Sequence, residues 1–320
     1  MTTTQIPVLT AARLSPLLMP QLNAAFEVHD RLHESDPAAF DKIAPRIRAV
    51  AASGESKVPA ALIERLPALQ IISVFGVGYD GVDVAAAQAR GVLVTHTPSV
   101  LNDDVADLAL ALMLATARQI PAADRYVRAG QWAASGPMPL ARKMSGARLG
   151  LVGMGRIGQA IAQRALAFGM TIAYTARSAK PELPYAFHPS AAALAAASDF
   201  LVVITPGGAG TRKLIDAEVL QALGPKGILV NVARGSVVDE AALIDALERG
   251  VVGGAGLDVF EAEPNVPERL RALPHVVLTP HVGSATGQTR QAMADLAFEN
   301  LQAFFAGRPP PTPVPECRAG

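Results

Sequence analysis

The stretch "LVGMGRIGQA", residues 151–160, contains a glycine motif that indicates the fold of this part of the chain. It ends an apolar run and places Gly153, Gly155 and Gly158 at G-x-G-x-x-G spacing, just where a helix-like segment begins at Arg156. The first glycine allows a tight turn, the second lets backbone approach a pyrophosphate, and the third lets the helix pack closely on the sheet. In this context we predict a dinucleotide-binding loop rather than a plain strand-to-helix turn.

Apolar runs of strand length alternate with Ala-rich helical stretches on both sides of this loop. Six runs lie between residues 147 and 280, and five shorter ones lie between residues 6 and 96. Continuous Val, Ile and Leu suit parallel strands covered on both faces, and the helical stretches between them suit crossover connections. The sequence therefore predicts an α/β fold: a Rossmann-type doubly wound parallel sheet plus a smaller, flavodoxin-like α/β domain.

The overall composition excludes several classes of protein. The 320 residues include 28 Lys+Arg and 28 Asp+Glu, a neutral balance that argues against a nucleic-acid or anionic-membrane partner held by charge. The longest apolar run, residues 108–117, is about half of a membrane span, and the first ten residues have no secretory pattern. The single cysteine, Cys317, permits no internal disulfide, so we expect a cytoplasmic protein.

The segment after the glycine loop has an unusual charge pattern. An NAD-binding site places an acidic residue about 20 positions after the motif, on the adenosine ribose, but residues 161–180 contain no Asp or Glu. At the predicted end of the second strand stands the neutral Thr175. The loop beyond it offers two cations and a hydroxyl: Arg177, Ser178 and Lys180. These groups suit a 2′-phosphate, so we predict NADP, and NADPH over NADH, rather than a loop that is basic only through exposure.

Three polar residues follow three of the predicted strands, at the sheet edge where ligands of open α/β sheets bind. Arg234 follows the run 227–232, Glu263 follows the run 254–260, and His281 follows the run 275–280. Each taken alone suits an ordinary loop residue, but together they form a coherent set. A guanidinium can hold a carboxylate and polarise a carbonyl, and a histidine paired with a carboxylate can donate a proton as hydride arrives. This set can reduce a 2-oxo acid.

Six ordered motifs resemble the D-isomer-specific 2-hydroxyacid dehydrogenase family along almost the whole chain. They are "FGVGYDGVD", "HTPSVLNDDVADLALAL", "LGLVGMGRIGQAIA", "NVARGSVVDEAALIDAL", "GAGLDVFEAEP" and "TPHVGSAT". The resemblance implies that Arg234, Glu263 and His281 are the catalytic residues. Within the family the chain most resembles NADPH-dependent glyoxylate, hydroxypyruvate and hydroxyphenylpyruvate reductases.

The resemblance also implies a domain organisation. It gives a substrate domain of residues 1–98, to which residues 285–320 return, and a dinucleotide-binding domain of residues 99–284. Residues 121–146 become an arm that joins a homodimer. Backbone N–H groups of Val77 and Gly78 are expected to bind the substrate carboxylate, together with Arg234 and His281. No metal is implied, because the six histidines show no ligand spacing.

The prediction for the cofactor site extends beyond the glycines. The residues predicted to bind the cofactor are Gly153, Met154, Gly155, Arg156, Ile157, Gly158, Ala176, Arg177, Ser178, Lys180, Thr205, Pro206, Val232, Ala233, Asp258 and Gly283. The expected activity is reduction of a small 2-oxo acid to the D-2-hydroxy acid; the residues do not distinguish among glyoxylate, hydroxypyruvate and bulkier acids. The alternative is a non-catalytic NAD(P)-sensing, corepressor-like protein.

Overall fold

The protein is described by a computed structural model that covers residues 5–318. The chain divides into two compact units, Met1–Leu101 with Thr286–Gly320, and Asn102–Ala285. Each unit contains one sheet in which all paired strands run parallel. The predicted α/β fold with two sheets is therefore confirmed.

The strands and helices of the described residues are as follows. The strands are β1 Pro7–Thr10, β2 Glu27–Asp30, β3 Ala49–Ser53, β4 Ile71–Phe75, β5 Leu93–Thr95, β6 Arg148–Val152, β7 Thr171–Thr175, β8 Ala186–Phe187, β9 Phe200–Val203, β10 Ile228–Asn231, β11 Gly254–Leu257 and β12 Val276–Leu278. The α-helices are α1 Met19–Ala25, α2 Leu32–Ser35, α3 Pro37–Ile43, α4 Ala60–Glu64, α5 Val84–Ala89, α6 Asn102–Ala117, α7 Ile120–Arg128, α8 Gln131–Ser135, α9 Arg156–Leu166, α10 Ala191–Ala196, α11 Ala217–Leu223, α12 Glu240–Glu248, α13 Glu268–Arg271 and α14 Gly287–Phe305. Short 3₁₀ turns cover Ala44–Arg46, Ala209–Thr211, Gly235–Val237 and Pro315–Cys317.

The first unit has strand order β2-β1-β3-β4-β5, the flavodoxin-like order. Its core consists of fully buried Val, Ile and Leu side chains from β1, β3 and β4, covered by Phe40 and Leu66. The C-terminal helix α14 belongs to this unit: Ser73 Oγ on β4 donates to the carbonyl of Ala297 at 2.9 Å. The segment beyond α14 adds Val314, which is fully buried in the same core.

The second unit has strand order β12-β11-β10-β9-β6-β7-β8. Counted from β6, this is the order 3-2-1-4-5-6 of the dinucleotide-binding fold with a seventh strand added beyond the sixth. The long helix α6 packs beside α9, and Arg164 on α9 donates to Asp103 and Asp107 on α6. The chain order reverses between β6 and β9, which is where such sheets bind their ligands.

Residues 120–140 form the most exposed apolar part of the second unit. After α6 the chain forms the short helices α7 and α8, and no regular element follows before β6. Large apolar side chains here are exposed to solvent: Ile120, Val127, Trp132 and Leu140. In the described residues no single helix is long and apolar enough to cross a membrane; only α6 and α7 taken as a pair, bent by 58°, pass on length and composition.

All eleven predicted strands are present, and the structure has one further strand, β8, that the sequence did not predict. β8 is only two residues long, Ala186–Phe187, and pairs with β7 at the sheet edge. A pair of residues has no periodicity that could be recognised in the sequence. The C-terminal helix α14 covers Gly287–Phe305, and Gly307 follows it with a φ of 71°.

Candidate active site

The glycine loop joins β6 to α9 in the geometry that the motif predicts. Gly153 has a φ of 111°, and a Cβ atom there would lie 2.8 Å from the carbonyl oxygen of Ile204. At Gly158 a Cβ atom would lie 2.5 Å from the oxygen of Gly153, so this glycine sets how closely α9 packs. At Gly155 the space beside the backbone is open, because no other atom lies within 4 Å of the position that a Cβ atom would take. Two glycines are therefore needed for packing, and the third leaves room for a ligand.

The N-terminus of α9 suits a phosphate group. Its N-cap, Gly155, has no side chain, so no side-chain oxygen of the cap accepts from the first backbone N–H groups of the helix. These groups and the helix dipole favour an anion at this position. Arg156 and Ile157 begin the helix, whereas the Met154 side chain is buried in the core. The residues present fit the pyrophosphate of a dinucleotide.

The loop after β7 is where a 2′-phosphate on the adenosine ribose of the cofactor would bind. Thr175 is buried, whereas Arg177 and Ser178 are exposed and Lys180 is half-buried. Tyr174 on β7 holds this loop in place, because its hydroxyl accepts a hydrogen bond from the N–H of Lys180 at 2.6 Å. Residues 176–181, the part of the loop next to β7, contain no acidic side chain, and Glu182 beyond them is exposed. The charge beside the end of β7 therefore suits a phosphate more than a pair of ribose hydroxyls.

Arg234 lies just beyond β10 on a loop with little freedom. The side chain of Asn231 accepts from the N–H of Ala233 at 3.0 Å and donates to the carbonyl of Arg234 at 3.0 Å. Gly235 is packed against the backbone of Phe260, since a Cβ atom there would lie 1.9 Å from the Phe260 carbonyl. This contact joins the arginine loop to the loop that carries Glu263.

Glu263 and His281 form a direct pair. His281 Nδ1 lies 2.7 Å from Glu263 Oε2, and the N–H of Phe260 donates to the other carboxylate oxygen at 2.9 Å. Burial alone would raise the pKa of Glu263, but the bonds from His281 and Phe260, with the nearby charge of Arg234, hold that pKa below its usual value. The carboxylate therefore stays ionised beside the imidazole and favours its protonated form.

Asp258 has a structural position that the sequence did not reveal. The N–H groups of Val282 and Gly283 donate to its carboxylate at 2.8 Å each, and Thr279 Oγ1 donates at 2.7 Å. The side chain is only 2% exposed, and this burial raises its pKa. Asp258 therefore fixes the loop on which His281 adopts a positive φ of 52°. The sequence signal was an acidic residue ending an apolar strand.

The other predicted cofactor residues follow the carboxyl ends of neighbouring strands in the second unit. Val232 and Ala233 are buried beside β10, and Thr205 and Pro206 follow β9 at the surface. Thr205 and Pro206 begin a short loop in which Thr211 Oγ1 donates to the Pro206 carbonyl at 2.7 Å. Their contacts with a cofactor remain predictions. Val77 and Gly78 belong to the first unit, directly after β4.

Comparisons with known proteins agree with this geometry. The sequence model of the family described as D-isomer specific 2-hydroxyacid dehydrogenase, NAD binding domain, matches residues 110–283, more than half of the chain. A hydroxyphenylpyruvate reductase of Plectranthus scutellarioides is 48% identical over 312 residues, which cover 97% of this chain and 99% of that protein. A glyoxylate/hydroxypyruvate reductase of Arabidopsis thaliana is 50% identical over 268 residues, 84% of this chain and 85% of that protein.

The solved structures include a similar protein with its cofactor. The crystal structure of an NADPH-dependent glyoxylate/hydroxypyruvate reductase from Sinorhizobium meliloti, in complex with NADP and malonate, matches with a TM-score of 0.93. The two chains are 46% identical, and the match covers 99% of each. Fold, site and relatives together define an oxidoreductase that binds a nicotinamide cofactor. The chain belongs to the D-isomer-specific 2-hydroxyacid dehydrogenase family.

Proposed function

We propose that the protein reduces a small 2-oxo acid to the D-2-hydroxy acid, with NADPH as the hydride donor. Glyoxylate and hydroxypyruvate are the first candidates, followed by hydroxyphenylpyruvate, because the relatives carry these names. The observation that carries the proposal is the 2.7 Å pair of His281 and Glu263, which lies in one unit with Arg234 and the glycine loop.

The three catalytic side chains have separate tasks in this proposal. NADPH, when bound, supplies the hydride. His281 donates a proton to the substrate carbonyl oxygen, so that an alcohol rather than an alkoxide forms. Glu263 orients the imidazole and stabilises its charged form, and Arg234 holds the carboxylate and polarises the carbonyl. The N–H groups of Val77 and Gly78 also receive the substrate carboxylate in this proposal.

The preference for NADPH is a further part of the proposal. It is supported by the exposed Arg177 and Ser178 after β7, by the absence of a carboxylate among residues 176–181, and by the NADP complex of the Sinorhizobium meliloti relative. A guanidinium and a hydroxyl give charge-assisted hydrogen bonds to a 2′-phosphate that NADH cannot receive.

We also propose that the protein is a homodimer joined through residues 121–146. The support is the group of exposed apolar side chains that includes Val127 and Trp132. Apolar side chains of this size, where they form a contiguous exposed patch, mark a protein interaction site. The expected cytoplasmic location remains a prediction, which rests on the single cysteine. The corepressor-like alternative is not supported, since the relatives described above are named reductases.

The direct test of the activity is NADPH oxidation at 340 nm with glyoxylate and hydroxypyruvate. We expect turnover that depends on His281: His281→Gln should lose kcat steeply while NADPH binding, measured by fluorescence titration, is kept. His275→Gln is the matched control, because His275 lies at the opposite end of β12 and should leave kcat unchanged. Near-native kcat in His281→Gln at neutral pH would exclude this residue as the proton donor.

The cofactor preference has its own test. Arg177→Ala should raise the KM for NADPH about tenfold, the effect of one charge-assisted hydrogen bond at an exposed position, and should leave the KM for NADH unchanged. Arg249→Ala removes an equally exposed guanidinium after α12 and should change neither value. A parent enzyme that uses NADH with equal or better kcat/KM would show that the loop has been misread.

A further inference from the structure

The loop after β4 is held by two residues that follow β5. The N–H of Thr97 donates to the carbonyl of Gly76 at 2.8 Å, and Thr97 Oγ1 accepts from the N–H of Gly76 at 3.0 Å. The imidazole Nδ1 of His96 lies 2.9 Å from the carbonyl oxygen of Val77. A carbonyl can only accept, so Nδ1 carries the proton in this contact. Two consecutive carbonyls of the loop, those of Gly76 and Val77, are therefore fixed in direction.

Fixing these carbonyls also fixes the two N–H groups that follow them. In a planar trans peptide the C=O of one residue and the N–H of the next point in opposite directions. The bond from Thr97 to the Gly76 carbonyl therefore turns the N–H of Val77 away from Thr97. The bond from His96 to the Val77 carbonyl likewise turns the N–H of Gly78 away from His96. Among the described residues, neither of these N–H groups donates to a backbone acceptor.

His96 itself has little freedom to move. It is only 6% exposed, and the ring of Tyr79 packs edge-on against it with centroids 5.3 Å apart. Its backbone N–H donates to the carbonyl of Thr312 at 3.1 Å, and Thr312 Oγ1 donates to the His96 carbonyl at 2.6 Å. Thr312 is held in turn by the fully buried side chain of Asn300 on α14, which donates to Thr312 Oγ1 at 2.8 Å. The imidazole is thus a rigid donor.

We propose that His96 is a positioning residue for substrate binding: through Nδ1–H it holds the Val77 carbonyl, and so presents the N–H of Gly78 to the substrate carboxylate. The inference rests on the proposed function, in which this loop receives the carboxylate. Thr97 does the same for Val77, but through its backbone. Of the two bonds that hold these carbonyls, only the one from His96 comes from a side chain and can be removed by a substitution.

The test compares variants of His96 that differ in one donor. His96→Phe keeps a ring against Tyr79 and removes the donor, whereas His96→Asn restores one, because its amide nitrogen occupies the position of Nδ1. Thr95→Val is the control: it removes a buried hydroxyl from the same strand, but that hydroxyl contacts the Ile72 carbonyl at 3.4 Å and not the loop. For each protein, kcat and KM are measured for glyoxylate and for NADPH.

We expect His96→Phe to raise the KM for glyoxylate about three- to tenfold, the range that one hydrogen bond corresponds to, with kcat and the KM for NADPH within about twofold. His96→Asn and Thr95→Val should stay close to the wild type. His96→Leu, which also lacks a donor, takes the place of His96→Phe if the latter does not fold.

Three results would overturn the inference. A folded His96→Phe or His96→Leu with an unchanged KM for glyoxylate would show that the donor is not needed, and a His96→Asn variant as impaired as His96→Phe would reduce His96 to a packing role. If either of these results is found while the wild-type enzyme turns over glyoxylate, only the inference about His96 fails and the proposed function is retained. A wild type that turns over no 2-oxo acid removes the proposed function, and the role of His96 with it.

Discussion

Replacement of Glu263 by Gln tests how the candidate proton donor is kept charged. The bond between His281 Nδ1 and Glu263 Oε2, 2.7 Å long, is the interaction that most lowers the pKa of Glu263. Coupling between two sites is mutual, so the same bond stabilises the protonated imidazole. Glutamine has nearly the same shape, but its neutral amide has one oxygen for two donors, the imidazole and the N–H of Phe260.

The size of the effect follows from the exposure of the pair. A hydrogen bond to a charged group contributes about 1.5–3 kcal/mol, and the two side chains are 29% and 24% exposed, which favours the lower part of that range. A loss of about 2 kcal/mol corresponds to about a 30-fold smaller population of the charged imidazole at pH values above its titration. The kcat of Glu263→Gln should fall by up to about that factor on the alkaline side of the titration, by a smaller factor at neutral pH, and approach the wild-type value in acid.

The assay is kcat for glyoxylate against pH at saturating NADPH. The direction in which the pH profile shifts follows from the lost charge. Without the carboxylate, the imidazole gives up its proton at lower pH, so the alkaline limb of the profile moves to lower pH. Glu261→Gln makes the same chemical change in the same loop, but Glu261 faces Arg212 and not His281, so its profile should match the wild type. Superimposable profiles for Glu263→Gln and the wild type would show that Glu263 does not keep His281 charged.

Three further predictions follow from the contacts of the second unit. Arg234→Ala should raise the KM for the 2-oxo acid and lower kcat, because one guanidinium serves both binding and polarisation; a loss confined to cofactor affinity would contradict this. Asp258→Asn leaves the N–H of Val282 or of Gly283 facing an amide N–H₂ beside a buried side chain, so it should lower the free energy of unfolding by about 2 kcal/mol and reduce kcat; an unchanged urea midpoint would argue against it. Val127→Asp should give monomers by light scattering, whereas Leu166→Asp, at an exposed leucine outside residues 121–146, should leave dimers; a Val127→Asp protein that is still dimeric would place the interface elsewhere.

The fold was predictable because its strands are buried on both faces. The run at 227–232 is almost entirely apolar, and β10 within it pairs with strands on both sides and is fully buried. The glycine loop was predictable because each glycine meets a local need: Gly153 for its φ, Gly155 for open space and Gly158 for close packing. Local chemistry of this kind is visible in the residue types and their spacing.

Contacts between distant loops were not predictable in the same way. The packing of Gly235 against the Phe260 carbonyl and the three bonds accepted by Asp258 depend on how neighbouring loops meet at the end of the sheet. The order of residues along the chain does not give the spatial distance between residues on different loops. For the same reason the sequence predicted that Glu263 and His281 act together, but only the structure gives the 2.7 Å distance between Glu263 Oε2 and His281 Nδ1.

In the proposed reaction, NADPH gives hydride to one face of the carbonyl carbon of a 2-oxo acid, and His281 gives a proton to the carbonyl oxygen. Its most direct test is a comparison of kcat/KM with NADPH across glyoxylate, hydroxypyruvate and hydroxyphenylpyruvate, with the products of the two chiral reactions separated by chiral chromatography. We expect measurable kcat/KM for at least one of these acids and D-glycerate as the product from hydroxypyruvate. L-glycerate, a racemic product or no turnover of any of the three acids would contradict it.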